Sequence, residues 1–142
     1  MLSEIQLLNH IYQTAEMGVD GIDSVLPYAE EPDLHRALLA QRREYEKLQN
    51  SAGAMLCQRG EEPKGIGVMA KMGSEAMSAM KTMVDHSATK IAEMMIQGST
   101  MGVTKSLRTI RDCSLKDEKT RDLADKLLKT EEANIREMKK FL

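Results

Sequence analysis

The sequence predicts an all-α protein: a bundle of four long helices, with a fifth, shorter helix between the second and third long ones. Apolar residues recur every three or four positions through four segments of about 25 residues, which is the spacing of one helix face. Aromatic residues make up only 3% of the chain and Trp is absent. A core without rings must be filled by aliphatic side chains and Met, which suits helices better than a β-sandwich. The 142 residues fit a single domain, residues 1–142.

The first two long helices are predicted at 3–26 and 32–59. Ser3 is followed three residues later by Gln6, which is the pattern of a helix capping box. Pro32 suits the first turn of the second helix, because its missing N–H would be unpaired there in any case. The short connection between the two segments predicts an antiparallel hairpin.

The second half of the chain is predicted to contain a shorter helix at 66–84 and two long helices at 87–112 and 115–141. Ser87 and Ser114 are the expected N-caps of the two long helices. These helices form a second antiparallel hairpin, and the helix at 66–84 is long enough to return the chain along the bundle. A four-helix bundle with one long crossover has the ferritin-like topology.

Composition excludes several classes of function. The 20 basic and 22 acidic residues are interleaved, for a net charge of -2, and with so few aromatics no nucleic-acid binding is expected. No apolar run reaches the roughly 20 residues of a membrane span, and the N-terminus shows no secretory signal. Cys57 and Cys113 lie outside any CxxC motif and are expected to be reduced thiols in a cytoplasmic protein. No P-loop, dinucleotide fingerprint, zinc spacing or nucleophile–base pair indicates an ordinary enzyme.

Each long helix carries one glutamate near the middle of its apolar stripe. At 1.5 Å per residue, these four positions lie roughly 20 to 28 Å from one end of the bundle. Ferritin-like di-metal centres use inward carboxylates of this kind, together with Glu-x-x-His motifs, to bind iron or manganese. The candidate metal ligands are Glu16, Glu44, Glu93 and Glu131.

The histidines that such a centre needs are missing. The chain contains only His10, His35 and His86, and no Glu-x-x-His motif. None of the three lies three or four residues from a candidate glutamate on the same helix. We therefore do not expect histidine ligands.

Three alternatives remain open for the glutamates. The first is a metal site made of carboxylates alone. The second is a degenerate site in which Lys47 neutralises Glu44, while the other carboxylates accept hydrogen bonds from amide or hydroxyl groups, those of Tyr45, Gln97 and Asn134. In the third, the glutamates extend to solvent and form no site.

The chain is rich in methionine, with 12 residues. Many of them fall in the predicted crossover helix and the start of the next one: Met69, Met72, Met77, Met80, Met83, Met94, Met95 and Met101. The preferred interpretation is that flexible Met side chains fill irregular gaps in the core. A soft Cu(I) site and a face that binds a partner or packs a homodimer are the alternatives.

Four glycines lie inside the predicted helices at 3–26 and 87–112, where each costs up to about 1 kcal/mol relative to Ala. They are Gly18, Gly21, Gly98 and Gly102. We expect them to allow close approach of the antiparallel helices at 3–26 and 87–112. Room for a ligand is the alternative.

The chain resembles a ferritin-like bacterial family of unknown function, distantly similar to rubrerythrins. The resemblance rests on the five-helix layout, on Glu62-Pro63-Lys64-Gly65, on the stretch 91–102 (IAEMMIQGSTMG) and on the stretch 127–132 (LLKTEE). It implies a ferritin-like fold. The di-iron role of the wider superfamily is implied only for the four glutamates.

The functional expectation is a non-enzymatic ferritin-like bundle with a degenerate di-metal site and a structural or protein-interaction role. We expect it to self-associate as a homodimer, and no particular protein partner is predicted. The alternative is a protein that binds iron or manganese, or a weak oxidase, using the four glutamates. What separates the two is whether metal or protein groups neutralise these carboxylates.

Overall fold

The computed structural model describes residues 2–65, 80–114 and 117–142, and its regular structure there is helical apart from one isolated bridge between Leu2 and Cys113. The long helices are α1 (Glu4–Val25), α2 (Pro32–Gln58), α3 (Ala88–Arg111) and α4 (Glu118–Lys139), with a 3₁₀ turn at Leu26–Tyr28 after α1. The all-helical class is confirmed. Residues 80–82 are also helical, and residues 66–79 of the predicted crossover helix lie outside the described residues.

Two of the predicted caps are confirmed. The backbone N–H of Ser3 donates to Gln6 Oε1 at 2.8 Å, and the N–H of Gln6 donates to Ser3 Oγ at 3.1 Å, which closes the capping box of α1. Ser87 Oγ accepts from the N–H of Lys90 at 3.2 Å at the start of α3. In both places a hydroxyl oxygen satisfies an N–H that the first helical turn leaves unpaired.

The predicted cap of the last helix is wrong. Asp117, not Ser114, caps α4 and accepts hydrogen bonds from both the N–H and the hydroxyl group of Thr120. The Asp117 carboxylate also receives a hydrogen bond from Arg59 at 2.9 Å. A charged acceptor with three donors is a stronger cap than a lone hydroxyl, so α4 begins later than expected.

The four helices form two hairpins, α1 with α2 and α3 with α4. The start of α1 and the end of α3 meet at one end of the bundle, where the N–H of Leu2 donates to the carbonyl of Asp112 at 2.8 Å. The start of α4 lies there too, since the N–H of Asp117 donates to Glu4 Oε1 at 2.7 Å. It follows that α2 and α3 run in the same direction.

The core consists mainly of aliphatic side chains, as the composition predicts. The apolar stripe that helical spacing predicts for α3 runs from Glu93 through Ile96, Thr100, Val103 and Leu107 to Ile110, and none of these residues is fully buried. The buried residues of α3 are Ile91, Ala92, Ser99 and Ser106, three of which are small. Because small side chains fill little volume, this face of α3 leaves space inside the bundle.

Two further predictions concern membranes and cysteines. Within the described part of the chain, no helix has the length and hydropathy required to cross a membrane. Cys57 and Cys113 are both free thiols, the first exposed and the second half-buried.

Candidate functional site

A cavity of about 300 Å³ lies between α1 and α3 and is partly open to solvent. Its surface is mostly apolar, and its floor is made by Tyr45 of α2 and Glu131 of α4. The wall residues on α1 are His10, Thr14, Met17, Gly18, Asp20, Gly21, Ser24 and Val25, and those on α3 are Met94, Met95, Gly98, Ser99, Met101, Gly102 and Lys105.

All four helix glycines singled out in the sequence line this cavity. A Cβ atom at Gly18 would lie 2.6 Å from the ring of Tyr45, and a Cβ atom at Gly102 would lie 2.8 Å from Glu131 Oε1. Positions 21 and 98 have nothing within 4 Å of such an atom. Gly18 and Gly102 therefore leave room for Tyr45 and Glu131, whereas Gly21 and Gly98 widen the cavity itself. The expected close approach of the two helices along these glycines is wrong.

The floor is a buried pair of polar groups. Glu131 is 2% exposed and Tyr45 is 3% exposed. The hydroxyl of Tyr45 donates to Glu131 Oε2 at 2.8 Å. Glu131 belongs to none of the ion pairs formed by residues that the structure describes. A carboxyl group in this position has lost its contact with water without gaining a cationic partner there.

Burial of Glu131 and Tyr45 shifts the pKa values of both groups. Desolvation raises the pKa of Glu131 to about 7, against the opposing effect of hydrogen bonds from Tyr45 and Ser99. Burial, and then the neighbouring Glu131 charge, raise the pKa of the Tyr45 hydroxyl above its ordinary value of 10.0. Near neutral pH, Glu131 therefore exchanges a proton readily, while Tyr45 keeps its own.

The cavity walls carry three further titratable groups. His10 Nε2 lies 3.0 Å from Ser106 Oγ and 3.4 Å from Thr14 Oγ1. Burial, followed by the charge of Lys105, lowers the pKa of His10 below 6.5, so its ring is neutral at physiological pH. Burial, followed by the charge of Asp23, raises the pKa of Asp20.

The structure places only one of the four candidate glutamates fully inside the bundle, Glu131. Glu44 keeps 43% of its side chain exposed and pairs with Lys47 at 3.2 Å. The side chain of Glu93 is 52% exposed and pairs with Lys90 at 3.7 Å. Glu16 is half-buried. Inward placement of Glu44 and Glu93 is therefore wrong, and each of them pairs at the surface with a lysine three residues away on the same helix.

The described residues contain no group of three or more His, Cys, Asp or Glu side chains that could hold a metal ion. The four glutamates are therefore not brought together, and their placement gives no support to iron or manganese binding. Two contacts match the second alternative of the sequence analysis, the Lys47–Glu44 ion pair and the Tyr45–Glu131 hydrogen bond. Gln97 is exposed.

Sequence reasoning did not identify the cavity as the site. The one signal that pointed to it was the set of four glycines, for which room for a ligand was the second interpretation. Met17, Ser99 and His10 gave no signal, because nothing in the sequence shows that they face the same space.

Comparisons with known proteins bear on the fold alone. No family model matches the chain, and no curated protein matches it. The crystal structure of a DUF305 fragment from Deinococcus radiodurans, a domain of unknown function, is similar, with a TM-score of 0.76. The match covers 96% of this chain and 93% of that chain at 18% sequence identity. These comparisons give no support to a ferritin-like or rubrerythrin relationship, and they show that the chain shares a helical fold with this fragment.

Proposed function

We propose that this protein is a non-enzymatic binding protein that holds a small, mainly apolar molecule in the cavity between α1 and α3. The observation that carries the proposal is the cavity itself, about 300 Å³ in volume and lined by four helix glycines. Each glycine costs about 1 kcal/mol relative to Ala inside a helix. A volume of this size lies at the lower end of the range of small-molecule sites.

The polar groups of the cavity favour binding over catalysis. The hydroxyl group of Tyr45 already donates a hydrogen bond to Glu131. His10 lies within hydrogen-bond distance of Ser106, and the two residues resemble a general base and its nucleophile. Ser106, however, is fully buried. A nucleophile must reach the substrate, so this pair does not support covalent catalysis.

Filling the cavity tests the proposal. We expect hexan-1-ol, used as a neutral apolar probe, to bind the wild-type chain in isothermal titration calorimetry and to shift NMR signals of α1 and α3. Gly98→Leu should weaken this binding at least tenfold, since position 98 lines the cavity and has free space around it. Ala54→Leu, at an exposed position of α2, is the matched control and should bind like wild type. A wild-type chain that binds no apolar probe, or a Gly98→Leu chain that binds equally well, would contradict the proposal.

A second candidate function is binding of a soft metal ion such as Cu(I). The observation in its favour is that Met17, Met94, Met95, Met101 and His10 all line the same cavity. Thioether sulfur is a soft ligand that selects Cu(I), and imidazole binds copper as well as other transition metals. An anaerobic Cu(I) titration against a competing chelator tests this. Met94→Leu with Met95→Leu should weaken binding, since Leu keeps the volume and removes the sulfur, whereas Met55→Leu should leave it unchanged.

Three other expectations stand as proposals. Two antiparallel hairpins, with α2 and α3 parallel, support a ferritin-like topology for the bundle. Met101 and Leu107 are 51% and 52% exposed on α3, which supports a homodimer or another protein contact through that helix. Cytoplasmic location stays a prediction from the sequence.

A further inference from the structure

We propose that the ligand of this cavity is an organic cation, with an ammonium group held at Glu131 and an apolar body packed against the methionine-lined walls. This inference rests on the proposed function, because it names the chemical class of the molecule in the same cavity. It follows from the geometry and charge of the floor.

The floor presents hydrogen-bond acceptors. Glu131 lines the cavity and is 2% exposed. Its Oε2 atom accepts a hydrogen bond from the hydroxyl group of Tyr45, at an O···O distance of 2.8 Å. Hydrogen bonds from Tyr45 and Ser99 use two of the roughly four lone-pair sites of an ionised carboxylate, so Glu131 can still accept from a ligand. A ligand group that donates hydrogen bonds matches this floor.

The floor also lacks a positive charge. Glu131 and Asp20 both line the cavity, and neither takes part in an ion pair with another described residue. A buried carboxylate is costly unless a cation or several donors compensate its charge. A bound ammonium group would supply both the charge and the donors.

The other charged groups around the cavity favour one location for the cation. Lys105 of α3 lies close enough to His10 to lower the pKa of that ring. His10 and Asp20 are ten residues apart on α1, which is about 15 Å along the helix. Lys105 therefore repels a cation from the His10 end, and Asp20, whose charge Arg42 offsets only in part, attracts it to the other. Glu131 lies against Gly102, between these two ends. Tyr45, the titratable group of α2 at the floor, stays protonated and uncharged.

Cation binding should be coupled to proton release. Burial raises the pKa of Glu131 to about 7 in the free protein, and a neighbouring ammonium group favours its ionised form. Below pH 7, the cation must displace a proton in order to bind. Affinity should therefore rise about tenfold between pH 6 and pH 8 and then level off.

The experiment compares hexylammonium with hexan-1-ol, which has the same apolar chain, by isothermal titration calorimetry at pH 6 and pH 8. We expect hexylammonium to bind wild type at least tenfold more tightly than the alcohol at pH 8, with much less preference at pH 6. Glu131→Gln should lose the preference while still binding the alcohol. Glu132→Gln, which removes an exposed carboxylate next to it, should behave like wild type.

The outcomes separate this inference from the proposed function. Equal affinity of wild type for the two probes at pH 8 would overturn the cationic ligand and leave an apolar-binding cavity. Binding of neither probe would overturn the proposed function, and the cationic ligand with it. Circular dichroism checks the fold of the variants. If Glu131→Gln does not fold, the wild-type pH series and the two probes still decide the question.

Discussion

At the scale of single residues, the unusual placement is that of Glu131, a carboxyl group 2% exposed in the centre of an aliphatic core. It accepts hydrogen bonds from the hydroxyl groups of Tyr45 and Ser99. Two neutral donors do not replace the hydration of a carboxylate, so the neutral acid is favoured. Glu131 therefore makes the stability of the fold depend on pH.

The sign of that dependence follows from the direction of the shift. The pKa of Glu131 is raised from 4.5 to about 7 on folding, so the folded chain keeps a proton that the unfolded chain has lost. Its stabilising effect is full below about pH 4.5 and is lost as the pH rises to about 7. We expect Glu131→Gln, which stays neutral, to gain on the order of 3 kcal/mol over wild type between pH 4.5 and pH 8.

Urea unfolding of the two chains at several pH values measures this difference. Glu132→Gln is the control, since an exposed carboxylate should give no such gain. A constant stability difference between Glu131→Gln and wild type from pH 4.5 to 8 would show that Glu131 has an ordinary pKa in the folded chain.

The sequence predicted only part of this residue-level arrangement. Glu131 lies on the apolar stripe of its helix, and its inward placement could be predicted from that spacing. Glu44 and Glu93 lie beside equally apolar stripes and yet reach the surface, each paired with a lysine three positions away. Helical spacing defines a broad face, so it does not decide whether a long side chain at its edge points inward or outward.

At the scale of elements, α3 differs most from an ordinary bundle helix. Its buried positions include Ala92, Ser99 and Ser106, and it carries two of the cavity glycines, Gly98 and Gly102. Small residues usually allow two helices to pack closely. The facing wall on α1 carries glycines as well, and yet a cavity lies between the two helices. Tyr45 packs against Gly18 and Glu131 against Gly102, and the space between the two glycine-bearing walls is the cavity.

Alanine substitutions at the glycines test this explanation. Gly21→Ala and Gly98→Ala should raise the free energy of unfolding by about 0.5–1 kcal/mol, since an added Cβ meets nothing and helix propensity improves. Gly18→Ala should lower it by about 1–3 kcal/mol, because the new Cβ would collide with the Tyr45 ring. Chemical denaturation of the three variants gives the comparison. The same effect at all three positions would contradict the proposed division between floor and wall glycines.

The ends of the elements could be predicted where the signal is local. Ser3 and Ser87 cap their helices as expected, because the capping hydroxyl and its N–H partner lie within three residues. Ser114 was the wrong choice for α4, since Asp117 is favoured by Arg59, a residue from the end of α2. A contact between residues that distant in sequence leaves no trace in a local pattern.

At the scale of the whole molecule, the two hairpins are joined at one end of the bundle by Arg59. Its guanidinium group lies 2.9 Å from Asp117 Oδ2 and 3.6 Å from Glu4 Oε2, so the end of α2 contacts the starts of α4 and α1. The side chain of Arg59 is 27% exposed. Along the middle of the bundle, by contrast, α1 and α3 are separated by the cavity. We therefore expect the contacts of Arg59 at this end to contribute more to keeping the two hairpins in register than an ion pair on the exposed surface does.

We expect Arg59→Gln to lower the thermal midpoint of unfolding by about 2–4 °C at low salt, which for a chain of this size corresponds to a modest loss of stability. Arg36→Gln is the matched control, because Arg36 pairs with Asp33 on the same helix with 70% of its side chain exposed. Its effect should be close to zero, since exposed ion pairs contribute little. Salt should weaken the Arg59 effect only in part, because the guanidinium group is mostly shielded from solvent and also donates a hydrogen bond. Equal midpoints for the two variants would show that Arg59 does not contribute to holding the hairpins together.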